Sequence, residues 1–128
     1  MSSRSAIDRL LHKLYEERER GNLAAVCAIF SDNAKFQIAG ASSNASPIQM
    51  TAVGVGEFRP ILAILIKSFK LSNLRIVTIL IDEPKAAVQW SATIHSRITG
   101  TTVLTEFIDV IEVRDGLIAS YIEFFVPR

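Results

Sequence analysis

The last quarter of the chain reads Thr105-Glu-Phe-Ile-Asp-Val-Ile-Glu-Val-Arg-Asp-Gly-Leu-Ile-Ala-Ser-Tyr-Ile-Glu-Phe-Phe-Val-Pro127. Two runs rich in β-branched and aromatic residues flank Asp115-Gly116, a pattern typical of a β-hairpin. Two carboxylates, Asp109 and Glu123, lie inside these apolar runs. Because burying an unpaired charge is costly and strongly shifts its pKa, a carboxylate in such a run needs a specific reason, and the hairpin points to a pocket.

The register of this hairpin decides whether the two carboxylates share a face of the sheet. A two-residue turn places Asp109 opposite Ile122 and sends the acids to opposite faces. A three-residue loop, Arg114 to Gly116, places Asp109 opposite Tyr121 and brings the acids to the same face. Both faces of the strands are apolar, so the hydrophobic pattern leaves both registers open.

Composition excludes several classes of protein. The 128 residues fit one domain, 1–128, and the 49% hydrophobic content is that of a globular protein. The formal charge is +1, and the cationic run 13–20 is interleaved with glutamates, so it predicts a solvated helix face and no nucleic-acid surface. The longest apolar run, 61–66, is too short to cross a membrane.

Cysteine and histidine usage gives further limits. A single cysteine, Cys27, excludes an internal disulfide, and His12 and His95 stand apart, without the spacing of metal ligands. We therefore expect neither a metal nor another cofactor. The first residues lack the apolar core of a signal peptide, which favours a cytoplasmic location.

Apolar periodicity predicts helices first and strands afterwards. The first helix is expected to begin near Ser5 and to stop at Gly21, the second to be capped by Asn22 and to end near Phe30, and the third to span 57–69. The predicted strands are 35–38, 48–53, 72–82, 86–99, 103–113 and 117–126, with a small-residue loop at 39–47. This order predicts an α+β domain in which helices pack on a strongly curved, mostly antiparallel sheet.

Several short motifs recur in a characteristic order: Gly21-Asn-Leu23, Ala28-Ile-Phe-Ser-Asp-Asn-Ala34, Gly54 before the third helix, Phe107-Ile-Asp-Val-Ile-Glu-Val-Arg-Asp-Gly-Leu-Ile118, and Tyr121-Ile-Glu-Phe-Phe125. In order and spacing they resemble the nuclear transport factor 2-like superfamily, in particular its SnoaL-like and ketosteroid isomerase-like members. The resemblance implies a cone in which the helices and a mixed, mostly antiparallel sheet enclose one apolar pocket. It also implies a dimer contact through the outer face of the sheet.

The resemblance favours the second register and assigns roles to the two acids. Asp109 matches the position where steroid isomerases keep a protonated Asp that donates a hydrogen bond to a developing oxyanion. In the SnoaL-type cyclase that position holds a His, and Glu123 matches the cyclase's acid/base Asp. The resemblance therefore predicts Asp109 and Glu123 as catalytic residues. A carboxyl in an apolar pocket can act as an acid near neutral pH while its neighbour stays ionised.

Two departures from the isomerase pattern argue against a steroid isomerase. The position of the general base is Ile38, which cannot take a proton. The oxyanion tyrosine falls on Leu14. Tyr15 lies one residue away, about 100° around the helix, and is expected to miss the cavity or to reach only its rim.

The walls of the predicted pocket are aromatic and aliphatic, although ordinary core packing is an equally good account of them. The predicted substrate-binding residues are Trp90, Ile94, Phe107, Ile111, Tyr121, Phe125 and Tyr15. On the opposite face, Ile108 and Val110 are hard to leave in water, which predicts a homodimer. His95 lies on the polar face of its strand, at a dimer surface or in solvent.

Two functions remain as hypotheses. The first is a cofactor-independent acid/base enzyme of the isomerase, cyclase or hydratase type, acting on a small hydrophobic carbonyl or ring compound. It predicts both carboxyls in an accessible cavity of a few hundred Å³. The alternative is a non-catalytic ligand-binding or dimeric assembly module of the same fold. It predicts that Asp109 is hydrogen-bonded away from any void, or that large side chains fill the pocket.

Overall fold

The computed structural model of the protein describes residues 3–41 and 47–127. These residues form helices α1 (Arg4–Arg20), α2 (Leu23–Cys27) and α3 (Val55–Ser68), and strands β1 (Phe30–Ala41), β2 (Pro47–Val53), β3 (Phe69–Asp82), β4 (Lys85–Ser96), β5 (Thr102–Arg114) and β6 (Leu117–Pro127). None of the described helices is both long enough and apolar enough to cross a membrane.

The helix caps explain where the first two helices begin and end. The cap of α1 is Ser3, whose hydroxyl accepts a hydrogen bond from the first turn, so the prediction of Ser5 is wrong by two residues. Gly21 ends α1 in the left-handed conformation, with φ of 70°, as predicted. Asn22 caps α2 as predicted, but the helix ends at Cys27 because the chain turns into β1 at Phe30.

The strands join one mixed sheet in the order β2-β1-β6-β5-β4-β3. The β1–β6 pair is parallel and the other pairs are antiparallel. The sheet is strongly curved and not closed, and the helices pack on it to form the predicted α+β cone. Strand β1 continues to Ala41 and β2 starts at Pro47, so residues 39–41 and 47 were wrongly predicted as loop, and residues 42–46 lie outside the described part of the chain.

The C-terminal hairpin combines features of both predicted registers. Asp115 and Gly116 form a two-residue turn with φ of 52° and 78°, the positive values that a type I′ turn requires. Just after the turn, Ala119 forms a bulge in β6 that shifts the pairing by one residue. Beyond the bulge, Asp109 lies directly opposite Glu123. Both predicted pairings of Asp109 are therefore wrong, but the bulge places the two acids on the same face.

The core fills the space between the helices and the concave face of the sheet. Residues in β4 and β5 alternate between this core and the outer face, as the predicted alternation of Trp90 and Ala92 with Gln89 requires. The buried residues that join α1 to the central strands are Ile7, Leu11, Leu14, Tyr15, Val88, Trp90, Ala92, Phe107 and Ile111. Cys27 is a buried free thiol.

Candidate active site

Asp109 is fully buried at the centre of the concave face. Its Oδ2 atom accepts hydrogen bonds from the Tyr15 hydroxyl at 2.6 Å and from the Trp90 indole N–H at 2.7 Å. The Tyr121 hydroxyl lies 2.5 Å from the same oxygen. The other oxygen, Oδ1, is buried and has no hydrogen-bond partner among the described residues. One oxygen of this carboxyl is therefore saturated, while the other is free for a further contact.

Tyr15 lies inside the site, so the prediction that it misses the cavity or reaches only its rim is wrong. It is 1% exposed and its ring packs against Trp90, with 5.2 Å between the ring centroids. The reason is helical geometry: Tyr15 follows Leu11 by four residues and therefore shares the buried face of α1. Leu14, which the resemblance aligned with an oxyanion tyrosine, is also buried.

Glu123 is paired with Arg18, a residue that the sequence interpretation left in solvent. The Arg18 guanidinium forms an ion pair with Oε1 of Glu123, and the same Nη1 atom donates to the Tyr121 hydroxyl at 2.8 Å. Only 14% of the Arg18 side chain is exposed, and its Cζ lies 5.2 Å from the centroid of the Trp90 ring. Its spacing of three residues from Tyr15 is the signal that could have placed it on the buried face.

Tyr121 connects the two acids. Its hydroxyl lies 2.5 Å from Oδ2 of Asp109 and 3.0 Å from Oε1 of Glu123. Its ring is stacked on Phe36, with centroids 5.5 Å apart and an interplanar angle of 6°, which fixes where the hydroxyl lies. The resulting cluster, Tyr15, Arg18, Trp90, Asp109, Tyr121 and Glu123, is called the carboxyl cluster below.

Burial dominates the electrostatics of the carboxyl cluster. Burial and, after it, the negative charge of Glu123 raise the pKa of Asp109, while Arg18 and the two tyrosine hydroxyls partly offset them, and the resulting pKa is about 8. Burial and the charge of Asp109 also raise the pKa of Tyr15 and of Tyr121 well above the ordinary value, so both phenols stay protonated. For Arg18, burial lowers the pKa, but Glu123 and its neighbours outweigh that effect.

The predicted walls surround the cluster as tightly packed side chains. Phe107 is stacked on Trp90, with 3.8 Å between the centroids, and Ile111 is buried behind them. Phe125 is half-buried and lies so close to Gly40 that a Cβ atom there would be 2.6 Å from the ring. Ile94 is partly buried, nearer the end of β4.

Two surface cavities of the described residues lie elsewhere. One, of about 360 Å³, lies between the start of α1 and β3, and the other, of about 330 Å³, lies beside it along β3 and β4. Neither is lined by Asp109, by Glu123 or by a predicted wall residue. Because Asp109 and Trp90 are fully buried, a molecule can reach them only if the side chains packed around them move.

Two further positions show which groups the cluster contains and which it lacks. Ile38 pairs with Glu123 across β1 and β6 and is buried, so the position of the isomerase base carries an apolar side chain beside the second acid. Among residues 3–41 and 47–127, no three His, Cys, Asp or Glu side chains gather as metal ligands. The cation beside the carboxyls is the guanidinium of Arg18. His95, outside the cluster, is half-buried and contacts the Thr102 hydroxyl at 2.9 Å.

The arrangement of helices and curved sheet agrees with a match at the level of sequence families. The model of the SnoaL-like domain matches residues 11–121, which is most of the chain. The chain belongs to the SnoaL-like domain family. The family and the nuclear transport factor 2-like fold suggested by the resemblance are thus confirmed. A comparison with curated proteins gives no match.

Solved structures with the same fold carry several different names. A Bacillus subtilis protein named "Putative Isomerase" has a TM-score of 0.83 and 20% identity, covering 98% of this SnoaL-like chain and 90% of its own. An LEH-like epoxide hydrolase from M. tuberculosis has a TM-score of 0.71 and 16% identity, covering 95% and 84%. A "putative polyketide cyclase" from Xanthomonas campestris has a TM-score of 0.71 and 17% identity, covering 94% and 90%. At such identities the likeness establishes the fold.

Proposed function

We propose that this SnoaL-like protein is a cofactor-independent enzyme that performs acid/base chemistry on a small hydrophobic carbonyl or ring compound. The reaction is of the isomerase, cyclase or hydratase type. The observation that carries the proposal is the buried pair Asp109 and Glu123, which face each other across β5 and β6 and are joined by Tyr121. A carboxyl with a strongly raised pKa, such as that of Asp109, is common at functional sites. The names of the similar structures belong to the same broad class of chemistry.

The surroundings of the two acids suggest different roles for them. Asp109, with its pKa raised to about 8, holds a proton at neutral pH and serves as the acid. Glu123 forms an ion pair with Arg18 and serves as the base. Because Oδ2 of Asp109 already accepts several hydrogen bonds, the reacting atom of the substrate would meet Oδ1. The stacked rings of Trp90 and Phe107 would contact the apolar part of the substrate.

The proposal is tested by measuring turnover of a panel of compounds, small hydrophobic ketones and matched epoxides. Small hydrophobic ketones are incubated in D₂O, and exchange of their α-protons is followed by NMR, while matched epoxides are assayed for diol formation. We expect Asp109→Asn and Glu123→Gln to lower the rate on any active compound by at least ~100-fold, the range of general acid/base catalysis. Glu112→Gln is the matched control, because Glu112 lies on the same strand but pairs with Arg114 outside the cluster. Unchanged turnover in both active-site variants would refute the proposal.

A second candidate is a non-catalytic module that binds a small hydrophobic ligand. It is supported by the aromatic packing around Asp109 and by the burial of both acids. In this case a ligand would raise the melting temperature of the wild type and of Asp109→Asn alike, since binding to the native state alone stabilises it. No compound of the panel would then be converted.

We also propose that the protein is a homodimer that uses the outer face of β5 and β6. Ile108 lies opposite Phe124 on that face, and their exposed fractions are 50% and 45%. Val126, at 62%, extends the same apolar surface. Light scattering that gives the mass of one chain across the accessible concentration range would remove this proposal. The cytoplasmic location stays a prediction, which cell fractionation tests.

A further inference from the structure

We propose that Tyr121 transfers a proton between Asp109 and Glu123, so that the two carboxyls act as one acid/base unit. Its use in turnover rests on the proposed function, but the transfer itself takes place in the protein without substrate. The inference comes from the Tyr121 hydroxyl, which contacts two carboxyl oxygens but carries only one proton.

Three polar groups meet the Tyr121 hydroxyl. Nη1 of Arg18 lies at 2.8 Å and can only donate, so it occupies a lone pair of the hydroxyl oxygen. Oδ2 of Asp109 lies at 2.5 Å and Oε1 of Glu123 at 3.0 Å. Each of these two oxygen–oxygen contacts needs a proton, but the hydroxyl supplies one. The second proton must come from a carboxyl.

Two arrangements satisfy both contacts. In the first, Asp109 is protonated and donates to Tyr121, which donates to ionised Glu123. In the second, Glu123 is protonated and donates to Tyr121, which donates to ionised Asp109. Conversion breaks the O–H bond of Asp109 as one forms on Tyr121, while the original Tyr121 O–H bond breaks as one forms on Glu123. One proton moves between the acids, the net charge is unchanged, and the tyrosine is neutral in both arrangements.

The groups around the two acids favour the first arrangement. From α1, Arg18 forms its ion pair with Glu123, which stabilises that carboxyl in the ionised form. From β4, Trp90 presents an uncharged N–H to Asp109, and from α1 Tyr15 presents a neutral hydroxyl. Burial of Asp109 also favours its protonated form. After Asp109 has given its proton to a substrate, a proton that Glu123 takes from the substrate can pass through Tyr121 to Oδ2 of Asp109 and restore the first arrangement.

Tyr15 provides a matched control for this role. Like Tyr121, it places its hydroxyl on Oδ2 of Asp109, but that hydrogen bond involves Asp109 and not Glu123. Tyr15→Phe therefore removes one donor and leaves the connection between the acids in place. Tyr121→Phe removes the connection, while both carboxyls, Asp109 and Glu123, and the aromatic stacking with Phe36 stay. These two residues are the only tyrosines of the chain.

The experiment is a ¹³C NMR titration of substrate-free protein labelled at the Asp and Glu carboxyl carbons. In the wild type and in Tyr15→Phe, we expect the Glu123 carbon to respond in the pH range in which Asp109 titrates, because a shared proton belongs to both groups. In Tyr121→Phe that response should fall by more than about half, leaving the effect that the charges exert through space. An equal response in wild type and Tyr121→Phe, or none in the wild type, overturns the proposal.

A second measurement applies if Tyr121→Phe does not fold. In the Tyr15→Phe background, 3-fluorotyrosine enters only at position 121 and makes that hydroxyl more acidic. We expect the pH midpoints of the Asp109 and Glu123 carboxyl signals to shift together relative to the unfluorinated protein. A shift of the Asp109 midpoint alone would overturn the proposal. Neither titration uses a substrate. A joint response without turnover of the panel refutes the proposed function alone, and turnover with separate responses refutes the relay alone.

Discussion

Two neighbouring residue pairs of strands β5 and β6 reverse the arrangement that is usual in a globular protein. On the concave face, Asp109 and Glu123 are buried and lie opposite each other. On the outer face of the same two strands, Ile108 and Phe124 lie opposite each other and are about half exposed. Side chains alternate along a strand, so a few residues of sequence place charge inside and apolar surface outside.

The two reversals differ in how the chain compensates for them. The acids are surrounded by hydroxyl, indole and guanidinium donors from α1, β4 and β6, so their burial is supported by specific partners. The outer apolar pair is left exposed in the protomer, and a partner surface would be needed to bury it. This difference is consistent with the two proposals, that the inner face carries the chemistry and that the outer face contacts a second chain. The predictions below test this division, starting with the largest expected change in folding stability.

Removal of Arg18 should have the largest effect. Arg18→Met keeps much of the side-chain volume but leaves Glu123 as a buried, uncompensated charge, which should lower the free energy of unfolding by about 3–5 kcal/mol at neutral pH. Denaturant unfolding measures the change. Lys13→Met is the control, since it removes a cation from an exposed position of the same helix and should change stability by less than ~0.5 kcal/mol. Equal effects of the two substitutions would contradict the prediction that Arg18 stabilises the fold by pairing with buried Glu123.

Asp109→Asn should change how stability depends on pH. The pKa of Asp109 is raised from 3.8 to about 8, so the folded protein holds this proton more tightly than the unfolded chain does. Its contribution to stability is complete below the unfolded value and is lost as the pH rises toward the folded value. Between these limits the wild type should lose more than ~1.4 kcal/mol relative to Asp109→Asn, the equivalent of one pKa unit. The free energy of unfolding is measured across this pH range for both proteins. If the wild type and Asp109→Asn change by the same amount, the raised pKa of Asp109 is contradicted.

Tyr15→Phe should have a smaller effect, because Trp90 and Tyr121 still contact Oδ2 of Asp109. We expect a loss of about 1 kcal/mol, the usual net contribution of one hydrogen bond. Thermal unfolding at a fixed pH measures it. A loss as large as that of Arg18→Met would show that the hydroxyl of Tyr15, rather than the ion pair, is the main support of the buried acids.

Phe124→Lys should have the smallest effect on the protomer and a clear effect on assembly. Because Phe124 is 45% exposed and faces outward, its replacement should cost the isolated chain less than about 1 kcal/mol. Light scattering should show a dimer for the wild type and a single chain for the variant. In agreement with this, the melting temperature of the wild type should rise with protein concentration, whereas that of the variant should not. A monomeric wild type would contradict the proposal that the outer face of β5 and β6 contacts a second chain.

Local signals in the sequence were sufficient for most of the fold. Gly21 and Asn22 predicted the boundary between α1 and α2, and the alternation around Trp90 predicted which face of β4 is buried. The bulge at Ala119 was not predictable, because no glycine or change of pattern marks it and both faces of β6 are apolar. That bulge nevertheless decides that the acids share a face.

The carboxyl cluster was predicted in part. Asp109 and Glu123 were identified because charges inside apolar strands are unusual, and the structure brings Trp90 and Tyr121 to them. Arg18 was missed because alternating charges in its helix suggested a solvated face. Tyr15 was placed too far out because its position was judged from one aligned residue, and not from its spacing to Leu11. Contacts between a helix and a distant strand depend on packing that a single sequence does not encode locally.

The most direct test of the account is infrared spectroscopy of the folded protein across a pH series. A protonated carboxyl buried at Asp109 should give a carbonyl band distinct from those of carboxylates, present at neutral pH and lost as the pH passes about 8. Asp109→Asn should lack that band at every pH above the ordinary carboxyl range. A wild-type spectrum without the band at neutral pH, or a band that Asp109→Asn retains, would contradict the claim that Asp109 is a protonated acid at the centre of the site.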